Sequence, residues 1–216
     1  MSAGTTCSFA RSLGIPLDHV SSCSLLTSQN SLLIDVGIVE YTSEGQCLRR
    51  FFVNEADVGF GAVVAEASMQ INNYFGRKIN YLAHVIGSLS SLISYKNKRF
   101  TLRVEDESED VYDCAMLVIA NGAYFGGGMQ MAPDARLDDG LLNMVIIGDA
   151  GKSELLKIWP MTYKGRHVSH HKVRLLKIKK VDMRCDEKIL VEADGELLGE
   201  GPVSFSVVPS ALRVVV

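Results

Sequence analysis

The sequence predicts an α+β protein that is mainly β, a sandwich-like or barrel-like body carrying two or three helices. Two observations carry this reading. Runs rich in β-branched and aromatic residues recur along the 216 residues, separated by short turns containing Gly or acidic residues. Helical periodicity, by contrast, is confined to a few segments. The composition agrees, because 47% hydrophobic and 22% charged residues are enough to bury a core.

Taken in order, "SLLIDVGIVEY" and "CLRRFFVN" flank the turn "TSEGQ" and predict a first hairpin. "GFGAVVAEASMQINNYFG" then changes to helical texture. In "KINYLAHVIGSLSSLISY", Leu82, Val85, Ile86, Leu89, Leu92 and Ile93 follow helical spacing and predict an amphipathic helix. "KRFTLRVED" and "VYDCAMLVIAN" around the acidic turn "ESED" predict a second hairpin, and "GLLNMVIIGD" a further strand. "KSELLKIWPMTY" predicts a short helix capped by Ser153 and ended or kinked by Pro160. The tail segments "VRLLKIKKVDMR", "KILVEADGE", "VSFSVVP" and "LRVVV" predict successive strands.

Several function classes are disfavoured at this stage. A net charge of −3 supplies no bulk attraction for nucleic acid, so no nucleic-acid partner is expected. No apolar run reaches the length of a bilayer-spanning helix. The five cysteines (Cys7, Cys23, Cys47, Cys114, Cys185) form no CxxC pair, which signals neither a zinc knuckle nor a disulfide framework. Arg11 is followed only by "SLGIPLD", so a secretory leader is not expected.

Two constellations carry the candidate chemistry. In "YFGGGMQMAPDARLDDGLL", Gly126 to Gly128 can bend sharply or let a ligand approach the backbone, although a tight turn needs the same residues. Asp138-Asp139-Gly140 is expected on a turn entering the next strand, where carboxylates and carbonyls can hold a hard cation. In "EADGELLGE", Glu192, Asp194 and Glu196 alternate and are expected to share one strand face. Such a cluster is either well solvated or kept for a cation or a proton transfer. His167, His170 and His171 are expected on a surface loop, and the basic residues Lys172 to Arg184 on the wet face of strands. Gly59 and Gly61 lie between a strand and a helix but lack the third glycine of a dinucleotide fingerprint.

Taken together and in order, "GTTCSFARSLGIP", "LIDVG", "RFFVNEADVGFGAVVAEA", "NGAYFGGGMQMAPDARLDDGLL", "YKGRHVSHHKV" and "VEADGE" resemble the diacylglycerol kinase catalytic family of bacterial lipid kinases, relatives of sphingosine kinases. The resemblance implies an α/β nucleotide-binding domain with a "GGDGT" loop followed by a β-sandwich domain of NAD kinase/diacylglycerol kinase-like fold. No "GGDGT" occurs in this sequence. Residues 1–30 are therefore expected to be a remnant of the nucleotide-binding domain and 31–216 the sandwich. The 216 residues alone are expected to be inactive.

By the same resemblance, Glu196 is the general base for the lipid hydroxyl, with Asp194 beside it. Asp139 supplies a side-chain ligand, and Arg136 and Leu141 backbone carbonyls, to a structural Mg²⁺. Gly4 and Thr5 contact the nucleotide. Cys7 and Ser8 depart from the family's usual Asn and Asp, which puts the nucleotide or loop role of those polar groups in question. The implied cofactors are ATP and Mg²⁺. The implied protein is a cytoplasmic homodimer, peripheral to the membrane, acting on a lipid at its surface. Two other readings compete. An NAD kinase-like enzyme would use Asn54-Glu55, and a sandwich that binds lipid or dimerises without catalysis would need no "GGDGT" loop.

Overall fold

A computed structural model describes residues 7–27, 30–75 and 95–216 of the chain. Helices α1 (Ser8–Ser12) and α2 (His19–Ser24) precede β1 (Ser31–Ser43), β2 (Gln46–Phe52), β3 (Glu55–Gly59) and α3 (Phe60–Phe75). Then come β4 (Lys98–Val104), β5 (Asp110–Ala120), β6 (Leu142–Gly148), α4 (Lys152–Thr162), β7 (Val173–Ile178), β8 (Lys180–Cys185), β9 (Leu190–Ala193) and β10 (Glu196–Val215). The amphipathic helix expected over residues 78–95 falls almost wholly outside the described residues.

Every strand pairing is antiparallel, in the order β2-β1-β10-β8-β4-β5-β3-β9, with β6 on β5 and β7 on β6. The β9 end of that order returns to β10, with β1 and β2 extending beyond it. The first residues of β10 pair with β9, its middle pairs with β8, and its opposite edge runs along β1. The sheet therefore folds over on itself and closes a core that draws on all ten strands, from Val39 and Phe52 through Leu117 and Ile146 to Phe205. This is the mainly β, sandwich-like architecture the sequence predicts. "VSFSVVP" and "LRVVV", however, belong to one 20-residue strand rather than two. Pairing with β1 continues across the interruption at residues 209–211, since Ile34 pairs Leu212 and Val36 pairs Val208.

A second core lies on the outer face of β5 and β6, where Val118, Ala120, Val145 and Ile147 meet Phe60 and Val64 of α3 and Ile158 of α4. Strand alternation sorts β3 between the two. Ala56 and Val58 enter the inner core, so Glu55 and Asp57 must point the other way, toward the α3 side. Helix α4 is capped by Gly151, whose N–H donates to the Glu154 carboxylate at 3.0 Å, and not by Ser153, which lies inside the first turn. Pro160 sits inside the last turn, and the helix runs on to Thr162.

Both predicted hairpins form. In the first, Ser43 pairs Gln46 across Glu44 and Gly45, which take φ of +50° and +76°, the primed turn that suits strand twist. Farther along, Gly37 pairs Phe52, and the Phe52 ring lies where a Gly37 side chain would stand. Phe52 in turn meets Phe205 edge-to-face, 6.3 Å between centroids, inside the core. Gly37→Ala is expected to overpack this point and cost about 1–3 kcal/mol. The loss should show in urea unfolding and shrink in a Phe52→Leu background. An unchanged midpoint for Gly37→Ala would contradict this packing.

Candidate functional site

The connection from β2 to β3 and the β9–β10 hairpin meet at one place. The hairpin turn is Asp194-Gly195, with φ of +49° and +88°, and Ala193 pairs Glu196 across it. The Asp194 carboxylate turns back onto the neighbouring chain. One oxygen accepts from the Val53 N–H at 2.7 Å, the other from the Asn54 and Glu55 N–H groups at 3.0 and 3.1 Å. The Asp194 N–H completes the clasp by donating to the Glu55 carbonyl at 2.9 Å. Three backbone donors on one carboxylate make it a structural anchor. Asp194 therefore positions the hairpin and has little lone-pair capacity left for a substrate.

Glu192, Asp194 and Glu196 consequently do not share one strand face, because the turn intervenes between them. Glu196 projects outward, its side chain 62% exposed, and ion-pairs with Arg50 of β2. Glu192 is buried and accepts from the Gly195 N–H. It sits opposite Asp57 in the β3–β9 pairing, and ligand oxygens of Glu55, Asp57 and Glu192 all lie within 4.8 Å of one another. Burial, first, and mutual repulsion push the Glu55 and Asp57 carboxyls well upward, and burial raises Glu192 as well.

A buried polar spine leads from this place to the loop before β6. Ser12 of α1 donates to the Asn54 side-chain oxygen at 3.0 Å, and the Asn54 amide donates to the Tyr124 carbonyl at 2.8 Å. The Asn121 amide donates to the carbonyls of Val53 and Asp35 at 2.8 and 2.9 Å. The Asp35 carboxylate accepts from the Gly140 N–H at 2.6 Å and the Ser210 N–H at 2.7 Å. It thus joins the turn that carries Asp139 to the bulge in β10. Asn54 is committed to this spine, and Glu55 faces the buried acids.

Asp139 lies on the turn expected for it, with Gly140 at φ +71° just before β6. Its Oδ1 accepts from the Leu141 N–H at 3.1 Å and its Oδ2 faces the Lys177 ammonium at 2.7 Å. Arg136 directs its guanidinium to Asp138. The oxygen donors here are of the type Mg²⁺ prefers. The Asp139 charge, however, is already met by a lysine, so the arrangement does not fit the structural Mg²⁺ that the resemblance implies.

The remaining candidates divide simply. Gly4 and Thr5 lie outside the described residues. The glycine run makes a tight turn in which Phe125 pairs Met129, with Gly127 and Gly128 at φ +80° and +91°. His167 is buried, not on a surface loop, with Nε2 3.0 Å from the Met131 carbonyl, and burial keeps its imidazole below the usual range. His170 and His171 stack on each other. Much of the basic stretch is ion-paired on the surface, Lys180 with Asp182 and Arg184 with Glu109 among them. Cys7 takes a left-handed conformation (φ +49°, ψ +37°) at the start of α1, a geometry the family's Asn adopts with less strain.

Asp35, Asn121 and Asp57 were not singled out by sequence reasoning. Each is a polar residue embedded in an apolar strand run, "LLIDVGIV", "CAMLVIAN" and "EADVG", and that pattern was the available signal. The Asp194 clasp makes a direct prediction. Asp194→Ala should lower stability by about 2–4 kcal/mol because three donors lose a charged acceptor. Asp194→Asn should recover part of that. Amide exchange at Val53 to Glu55 should accelerate in Asp194→Ala, and unchanged exchange there would refute the clasp.

Comparisons with known proteins bear on this geometry. A family described as the YegS C-terminal NAD kinase beta sandwich-like domain matches residues 54–216. A diacylglycerol kinase of Mycobacterium tuberculosis is 28% identical over 213 residues, covering 98% of this chain and 66% of the relative. A diacylglycerol kinase of Staphylococcus carnosus is 27% identical over 204 residues, covering 94% and 62%. The chain thus spans just under two thirds of the length of these curated relatives. A solved diacylglycerol kinase structure from Bacillus anthracis superposes with a TM-score of 0.65 at 15% identity, covering 98% of this chain and 64% of that one. A second structure from the same organism reaches 0.72 at 20% identity, covering 98% and 65%. The chain belongs to the family of the YegS C-terminal NAD kinase beta sandwich-like domain.

Proposed function

We propose that this chain is the acceptor-side portion of an ATP-dependent lipid kinase that moves the γ-phosphoryl group of ATP to a hydroxyl of diacylglycerol or a related lipid. The observation that carries the reading is Glu196, a mostly exposed carboxylate beside Arg50 on a hairpin fixed by Asp194. A general base for an alcohol needs an accessible carboxylate held in a fixed place, and the exposure of Glu196 and its fixed hairpin support that role.

In the proposed step the lipid hydroxyl donates its proton to Glu196 as its oxygen attacks the γ-phosphorus. The bond from that phosphorus to the bridging oxygen breaks, and ADP leaves with the electron pair. Arg50 ion-pairs with Glu196 and lies close enough to meet phosphoryl charge as it develops. Asp194 acts through the backbone it holds rather than by touching a reactant. ATP enters as its Mg²⁺ complex. Its phosphates are assigned to the portion of the relatives that this chain does not cover, consistent with the absence of "GGDGT" here. Peripheral docking to a lipid surface, a cytoplasmic location and a homodimer belong to the same proposal.

The test uses the full-length protein with ATP and diacylglycerol in mixed micelles. Glu196→Gln should lower kcat by about 10²–10⁴-fold with little change in KM for ATP. Phosphorylation at near wild-type rates by Glu196→Gln would refute the assignment. Residues 1–216 alone should bind lipid without phosphorylating it, and robust activity from them would refute the division of labour.

A further inference from the structure

The sandwich also holds three carboxylates that the proposed reaction does not use. Glu55, Asp57 and Glu192 are 6%, 1% and 3% exposed, and they lie on the face of β3 and β9 toward α3. Among the described residues they form the one group of three such side chains whose ligand atoms come together, all within 4.8 Å. Among the described residues, no lysine or arginine ion-pairs with any of them.

Two of them also accept from the backbone. Asp57 Oδ1 accepts from the Ala62 N–H at 2.6 Å, in the first turn of α3, where the helix dipole favours negative charge. Glu192 accepts from the Gly195 N–H of the hairpin. Asp57 Oδ2 and Glu55 Oε2, by contrast, are fully buried and have no partner. Gly61 leaves the space for this, because a side-chain carbon there would stand 2.5 Å from Asp57 Oδ2. Unpartnered oxygens of buried acids are costly unless a cation or a proton meets them.

We propose that Glu55, Asp57 and Glu192 bind one divalent cation of the hard, oxygen-seeking class, Mg²⁺ or Mn²⁺, through Asp57 Oδ2, Glu55 and Glu192. Oxygens at about 2.0–2.1 Å from one Mg²⁺ lie no more than about 4.2 Å apart, so side chains whose ligand atoms already lie within 4.8 Å of one another need only a small adjustment to share it. The ion would tie β3 to β9 directly beneath the hairpin that carries Asp194 and Glu196. It is separate from the Asp139 turn, and the inference stands whether or not the kinase reading does.

The test strips the purified chain with EDTA, removes the chelator and titrates Mn²⁺ without nucleotide, reading bound ion by EPR and thermal unfolding in parallel. About one Mn²⁺ per chain with a rise in Tm is expected. Asp57→Asn and Glu55→Gln should each weaken binding by tenfold or more. Their metal-free Tm should equal or exceed that of the metal-free parent, because a buried charge is removed. Asp139→Asn should bind as the parent does. No Mn²⁺ bound, or binding that survives both Asp57→Asn and Glu55→Gln, or binding lost only in Asp139→Asn, would overturn the proposal. If one variant fails to fold, the other decides.

Discussion

The arrangement depends on one constraint, that polar backbone exposed where strands are interrupted inside the protein must find a partner. Asp35 shows it most plainly. It sits in β1 at the point where β10 carries extra residues, and it is 1% exposed. Its two oxygens collect N–H groups from Ser210 and Gly140, which the ladder leaves unpaired. Removing that carboxylate would take the partner from two part-buried donors at once and disconnect the loop before β6 from the edge of β10. Asn121 does the same for carbonyls, bridging Val53 and Asp35.

The chemistry of the acidic residues follows from where this polar framework puts them. Asp35 and Asp194 are saturated by backbone donors and serve geometry. Asp139 is matched by Lys177 and braces its turn. Glu196 faces outward from the β9–β10 hairpin with an arginine beside it, which suits proton transfer. Glu55, Asp57 and Glu192 are sealed between strand and helix. Residue type does not separate these roles, since all are simple carboxylates. Solvent access and the partner on each oxygen do.

The sequence made the class of fold, both hairpins and most strands legible, because alternation and turn chemistry are local signals. "TSEGQ" announces a hairpin turn and "DDGLL" a turn into a strand, whereas "EADGE" reads as one strand face and is instead broken by the Asp194-Gly195 turn. The resemblance carried by the motifs in order reached the family, which the comparisons then established. What stayed hidden was long-range. Nothing in "EADGE" says that Asp194 will reach the amides of residues 53–55, some 140 positions earlier. The joining of "VSFSVVP" and "LRVVV" into one strand depends on β1 pairing with both. The burial of His167 and the Lys177 contact to Asp139 likewise depend on which strands become neighbours.

The carboxylate of Asp35 ties the turn before β6 to the bulge in β10. Residue-resolved amide hydrogen exchange of Asp35→Asn against the parent chain tests this tie. Gly140 and Ser210 should exchange much faster in the variant, while amides of the inner core such as Leu117 and Ile119 keep their protection. Unaltered exchange at Gly140 and Ser210 would contradict it, since those donors would then be held by something other than Asp35.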